Sequence, residues 1–250
     1  MLEIIPVPAF KDNYIWLLHQ HGHAVVVDPG DAQPVLETLS ALGLQLNAIL
    51  VTHHHMDHIG GVEELIHATP ARAFAPEKEQ YPFPHQPVVA GDRLDFAEPA
   101  LSLSVLEVPG HTLGHVAYCG SGMLFCGDTL FGAGCGRLFE GTPEQMYTSL
   151  QQLTELPADT KVYCAHEYTE HNLEFALSLE PGHVALLARQ QATSALRAKG
   201  LPSLPSSLAL ELATNPFLRC HEPGVIAASG SATPDPVNVF TAIREMRNHF

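Results

Sequence analysis

Residues 52–61 read Thr52-His53-His54-His55-Met56-Asp57-His58-Ile59-Gly60-Gly61. The spelling His-x-His-x-Asp-His crowds imidazoles and a carboxylate into one short segment, and these donors suit a borderline divalent metal. In an extended segment His53 and His55, two residues apart, point to the same side and can share one ion. Asp57 and His58 lie past a bend and can face a second, while His54 projects the other way and is not expected to ligate. Three further polar residues stand in the same context, directly after apolar runs. Val108-Pro109-Gly110 leads to His111, Phe125-Cys126-Gly127 to Asp128, and Tyr163-Cys164-Ala165 to His166. Imidazoles and carboxylates without a thiolate fit zinc, iron or manganese in a dinuclear site. Asp128 is the natural bridge, because one carboxylate has an oxygen for each ion.

These residues need a rigid scaffold, and strand ends are where α/β folds carry functional loops. Apolar, β-branched runs predict strands at Tyr14–Leu18, Ala24–Val27, Ala48–Val51, Leu101–Val108, Val116–Cys119, Met123–Cys126 and Val162–Cys164. His19, His21 and His23 alternate around a glycine and mark a hairpin tip. Helical spacing appears at 34–42, 62–68 and 143–155, the last opened by Thr142, Pro143 and Gln145, a capping-box spelling. Beyond about residue 170 the text becomes helical. One helix carries Leu173, Ala176 and Leu177, a second runs Val184–Lys199 and closes at Gly200. A third opens at Asp235-Pro236 and carries Val237, Phe240, Ile243 and Met246. The expected organisation is an α/β domain over 1–166 and a helical domain over 167–250.

With 12 Lys and Arg against 27 Asp and Glu, the formal net charge is −15. Such a surface repels nucleic acid and anionic membranes, so an anionic ligand must be caught by a local group of the few basic residues. No apolar run approaches the ~20 residues of a membrane span, and the N-terminus lacks a signal or transit pattern. A cytoplasmic monomer is expected, without nucleic-acid or membrane partners. The five cysteines are odd in number and form no Cys-x-x-Cys pair, which predicts buried thiols rather than a disulfide framework. No Gly-x-Ser-x-Gly nucleophile elbow occurs.

The ordered motifs, His-x-His-x-Asp-His, Pro-Gly-His, Gly-Asp-Thr and a late His, resemble the metallo-β-lactamase superfamily. The text between them resembles the glyoxalase II family, the hydroxyacylglutathione hydrolases. The matching stretches are Phe10–Tyr14, Gly127–Phe131, Gly134–Thr142, Cys164–Thr169 and Asn215–Arg219. The resemblance spans nearly the whole chain. It implies an αββα sandwich followed by a smaller helical domain that binds glutathione. It further implies two divalent metals, expected to be zinc, with iron or manganese as alternatives. His53, His55, His111 and Asp128 would hold the first, and Asp57, His58, Asp128 and His166 the second. Asp57 would also act in catalysis, and Asp28 would support the site from an acidic turn. The implied reaction hydrolyses S-D-lactoylglutathione to D-lactate and glutathione.

On the same resemblance, Arg137, Tyr168, Arg244 and Arg247 would bind the substrate. Arg244 and Arg247 share a helix face at i, i+3 spacing. The chain departs from the family pattern in three places. Arg replaces Lys at 137 and 247, keeping charge and changing geometry, and Phe139 stands where many members have Tyr. The rival readings are a glutathione persulfide dioxygenase using one iron and a non-catalytic metal-binding module. The complete second ligand set, Asp57, His58 and His166, favours two metals and hydrolysis.

Overall fold

Tyr14, Trp16 and Leu18 alternate with Ile15 and Leu17 along one strand, and all five are buried. A strand apolar on both faces must be covered on both, and that demand organises the first half of the chain. The computed structural model describes residues 1–250. It divides the chain into two units, Met1–Glu107 with Leu113–Gly127, and Val108–Thr112 with Asp128–Phe250.

The first unit runs β1 (Glu3–Ala9), β2 (Asn13–Gln20), β3 (His23–Val27), α1 (Ala32–Leu42), β4 (Gln45–Leu50), α2 (Met56–Ile59), α3 (Val62–Ala68), β5 (Arg72–Pro76) and β6 (Gln86–Val88). It continues with β7 (Arg93–Phe96), β8 (Leu101–Glu107), β9 (Val116–Gly120) and β10 (Met123–Gly127). Strands β1 to β6 lie in chain order in one sheet, antiparallel from β1 to β3 and parallel from β3 to β6. Strands β7 to β10 form an antiparallel meander. On one face of the first sheet, Ile15, Leu17, Val26 and Ile49 pack with Val35, Leu39, Val62 and Leu65 from α1 and α3. The meander covers the other face: Tyr118 of β9 donates its hydroxyl hydrogen to the Val51 carbonyl at 2.7 Å. The β2–β3 hairpin turns through His21 and Gly22, both at positive φ, as the alternating histidines predicted.

The second unit contains β11 (Leu130–Phe131), β12 (Gly134–Cys135), α4 (Pro143–Thr154), β13 (Lys161–Cys164), α5 (Thr169–Leu179), α6 (Val184–Arg197), β14 (Ser206–Ser207) and α7 (Leu208–Thr214). A 3-10 turn (Pro216–Leu218), α8 (Pro223–Ser229) and α9 (Pro236–His249) complete it. The capping box at α4 is present in full: the Thr142 hydroxyl accepts the Gln145 N–H while the Gln145 side chain accepts the Thr142 N–H. Asp235 caps α9 through the N–H groups of Val237 and Asn238.

Several elements differ from the sequence expectation. Strand β1 contains Pro6 and Pro8, which read against a strand, but it lies at the sheet edge, where a missing N–H is tolerated. The second half of the histidine motif is itself a helical turn, α2, rather than a loop ahead of the helix. The buried face of α9 is Val239, Phe240, Ile243 and Arg244, whereas Met246 is exposed. No helix is long and apolar enough to cross a membrane.

Thr142→Ala removes one half of the capping box and should destabilise the protein by about 1 kcal/mol, with Thr142→Ser retaining most of it. Urea denaturation of the two variants checks this expectation.

Candidate metal and ligand site

Each unit carries its own group of polar side chains. In the first unit the chain leaves β4 and places His53, fully buried, after Thr52. The Asp28 carboxylate orders this segment. Asp28 stands at φ 54 at the end of β3. Its Oδ1 accepts the Thr52 N–H at 2.7 Å, and its Oδ2 accepts the Thr52 hydroxyl at 2.8 Å. Oδ2 also faces His58 Nδ1 at 3.0 Å. A carboxylate only accepts, so His58 carries its proton on Nδ1 and presents Nε2 as a lone-pair donor. The Thr52 hydroxyl, whose hydrogen goes to Asp28, lies 3.0 Å from His53 Nδ1. That fixes the His53 proton on Nδ1 by the same logic and turns its Nε2 toward a ligand.

His53 Nε2 and His55 Nδ1 approach to 3.1 Å, close to the spacing of two nitrogens bound at ~2.0–2.1 Å to one tetrahedral ion. The structure thus brings these two rings to one side of the chain. The His58 ring lies 4.1 Å from that of His53, and the Asp57 carboxylate 3.6 Å from His58 Nε2. The amide of Asn13, in the Phe10–Tyr14 stretch, donates to Asp57 Oδ2 at 3.1 Å. His54 turns away, as expected, to Glu79 at 3.2 Å. His115 stacks on His53 at 4.6 Å and is fully buried. Glycines permit the tight fit of this segment: a β-carbon on Gly30 would overlap the Asp57 carbonyl.

In the second unit, His111, Asp128 and His166 come together. His111 Nε2 lies 3.4 Å from Asp128 Oδ2, and His166 Nε2 lies 3.4 Å from Asp128 Oδ1. The two carboxylate oxygens thus face two different histidines, the geometry that a bridging carboxylate requires. His111 Nδ1 is 2.7 Å from the Arg137 carbonyl, which can only accept, so Nδ1 carries a proton and Nε2 turns toward Asp128. The Tyr168 ring stacks on His166 at 4.7 Å and 7°. The oriented rings and acidic neighbours of both groups match what a divalent ion asks of its ligands.

Asp128 and His111 open onto a cavity of about 450 Å³ within the second unit, lined also by Phe131, Phe139, Tyr168 and His171. Arg137, Arg244 and Arg247 line it too, so all four residues expected to bind substrate are brought to one place. Arg137 is exposed. Arg247 is half-buried and donates to Asn172 Oδ1 at 3.1 Å. Burial and the neighbouring Arg244 charge pull its pKa below the ordinary guanidinium range. Arg244 is more deeply set, 7% exposed, and donates to the Cys135 carbonyl at 2.8 Å over the Phe217 ring. Asn172 and His171 carried no sequence signal, being a lone amide and a lone imidazole on a helix. No disulfide forms. Burial raises the Cys135 and Cys220 thiols, so neither is a ready thiolate nucleophile, although Cys220 is flanked by Arg219 and His221.

Comparison with known proteins places these features in a family. Residues 10–166 match the model of the metallo-β-lactamase superfamily, and residues 167–250 match that of the hydroxyacylglutathione hydrolase C-terminus. The hydroxyacylglutathione hydrolase of Methylobacillus flagellatus is 78% identical over the full length of both chains. That of Nitrosomonas europaea is 49% identical over 100% of this chain and 97% of the relative. Among solved structures, ETHE1 from Myxococcus xanthus is 25% identical with a TM-score of 0.67, covering 99% of this chain and 98% of that one. A protein crystallised in a di-iron-bound form is 30% identical with a TM-score of 0.58, covering 65% of this chain and 91% of that one. The α/β body with its helical C-terminal region is a metallo-β-lactamase fold, and the chain belongs to the hydroxyacylglutathione hydrolase family.

Proposed function

We propose that this protein hydrolyses glutathione thioesters, with S-D-lactoylglutathione as substrate and D-lactate and glutathione as products. The observation that carries the reading is the joint presence of a metal-type donor set and an arginine-lined cavity in a chain 78% identical to a hydroxyacylglutathione hydrolase. His53, His55, His111 and Asp128 would hold one ion, and Asp57, His58, Asp128 and His166 would hold the other. Zinc is the expected metal; the donors equally suit iron or manganese, and a relative in di-iron form supports a metal pair. Residues 167–250 act as the substrate domain.

Two bound divalent ions would supply Lewis acidity and lower the pKa of water far below its bulk value, to ~7. The protein's own groups do the rest. Asp57, held by the Asn13 amide, orients the attacking water and takes its proton. Asp28 and the Arg137 carbonyl hold the Nδ1 sides of His58 and His111, so that both rings turn Nε2 toward the acidic ligands. Arg137 and Arg247 hold the carboxylates of the glutathione moiety, and the Tyr168 ring flanks its path beside His166. A leaving thiolate of pKa ~8.5 departs without a strong general acid. That removes the need for an acidic side chain on the far side of the scissile bond.

Turnover of lactoylglutathione against a thioester lacking glutathione tests the reading. Strong preference for the former is expected, and equal rates or oxygen consumption with glutathione persulfide would overturn it. Arg247→Ala should raise KM by about tenfold to a hundredfold with kcat retained, as for loss of one charge-assisted hydrogen bond. Arg244→Ala should instead change KM and kcat together, because it also releases the Cys135 carbonyl; steady-state kinetics separate the two patterns. Asp28→Ala should weaken metal retention about 10- to 100-fold, the usual effect of losing the partner that orients a ligating histidine, measured by competition with a chelator.

A further inference from the structure

Beside the cavity of the second unit lies a set of buried polar side chains that the proposed function does not use. Glu211 of α7 is fully buried and ion-paired with Arg189 of α6, itself 6% exposed. A buried ion pair adds little net stability, because both charges give up water, so the pair needs another explanation. Its other contacts supply one. Glu211 Oε2 accepts the backbone N–H of Ala133 at 2.8 Å and Asn215 Nδ2 at 3.2 Å. Asn215 Nδ2 also reaches the carbonyls of Phe131 and Gly134, at 3.2 and 2.9 Å. Asn172 Nδ2 donates to the Gly132 carbonyl at 3.0 Å. Every residue from 131 to 134, the turn joining β11 to β12, therefore has a peptide group fixed by a side chain from the helical part of the unit.

The turn needs that grip. Ala133 stands at φ 54 and is fully buried, a left-handed conformation that a residue with a β-carbon avoids. The turn is closely packed on both sides of it, since a β-carbon on Gly132 or Gly134 would strike Thr169 or Asn172. Strained backbone of this kind persists only where the surroundings over-determine it, and it gathers at functional sites. The hairpin starts two residues after Asp128. Its Phe131 ring lies 5.8 Å from the His166 ring and 5.3 Å from that of Tyr168, both edge-on. At its far end the Cys135 carbonyl seats Arg244.

We propose that Glu211 and Asn215 are positioning residues, a clamp that holds Ala133 in its left-handed conformation and so sets the hairpin linking Asp128 and His166 to Arg244. The proposal rests on the thioester-hydrolase reading of that site, and goes beyond it by assigning residues that touch neither ligand set nor cavity. Asn215→Ala, which leaves the Arg189–Glu211 pair intact, is the first variant. Deuterium exchange in peptides covering residues 130–135 should accelerate at least tenfold, while kcat falls and KM rises, each about tenfold, in protein with a native circular dichroism spectrum. Glu211→Gln should act in the same direction. Adding Ala133→Gly to Asn215→Ala should restore most of kcat, because glycine adopts the left-handed conformation without a clamp, yet leave the melting temperature lowered. A merely structural role would make activity follow melting temperature, with no rescue by glycine. The proposal is overturned if folded Asn215→Ala and Glu211→Gln keep wild-type exchange, kcat and KM, or if Ala133→Gly recovers none of the loss. A wild-type protein inactive on glutathione thioesters would overturn the hydrolase reading instead, and the exchange rates would still report on the clamp.

Discussion

In the first unit, the ligand geometry depends on a single carboxylate. Asp28 accepts the Thr52 N–H, the Thr52 hydroxyl and His58 Nδ1, and through the Thr52 hydroxyl it also orders His53. Two imidazoles thereby receive fixed tautomers from one buried acceptor, across a gap of 24 to 30 residues. The charge of Asp28 is satisfied by these donors, so its burial is not left uncompensated. Its left-handed backbone turns the chain sharply after β3 and aims the carboxylate back toward the end of β4. Without that acceptor, neither ring has a reason to present Nε2 rather than Nδ1.

The second unit meets a similar requirement differently. Asp128 divides its two oxygens between His111 and His166, and a backbone group, the Arg137 carbonyl, orients His111. The cavity beside them concentrates three of the chain's twelve basic residues. In a chain of net charge −15 that local excess is what an anionic substrate would recognise. Arg244, buried over Phe217 and tied to Cys135, shows that one of these arginines also serves the framework, since its guanidinium is anchored before any ligand arrives.

The sequence made the local features legible. His53 and His55 meet two residues apart at the bend after β4, and the Thr142 to Gln145 capping box is written within four residues. Features that depend on distant partners could not be read that way. Asn13 meets Asp57 across 44 positions, and Glu211 meets Ala133 across 78. No periodicity encodes either pairing. The burial of Arg244 was not legible for a related reason: it depends on the ring of Phe217 and the Cys135 carbonyl, partners distant in the sequence. Strand β1 escaped notice because prolines count against a strand unless its place at the sheet edge is known.

The proposed hydrolysis requires Asp128 to join two sets of imidazole and carboxylate donors into one dinuclear centre. Elemental analysis of the purified protein, run beside thioester turnover, tests that requirement most directly. Two divalent ions per chain are expected, with turnover that vanishes on chelation and returns with metal, and Asp128→Ala should lose both ions and turnover. A metal-free protein that hydrolyses the thioester at full rate, or an Asp128→Ala variant that keeps two ions and full turnover, would contradict it.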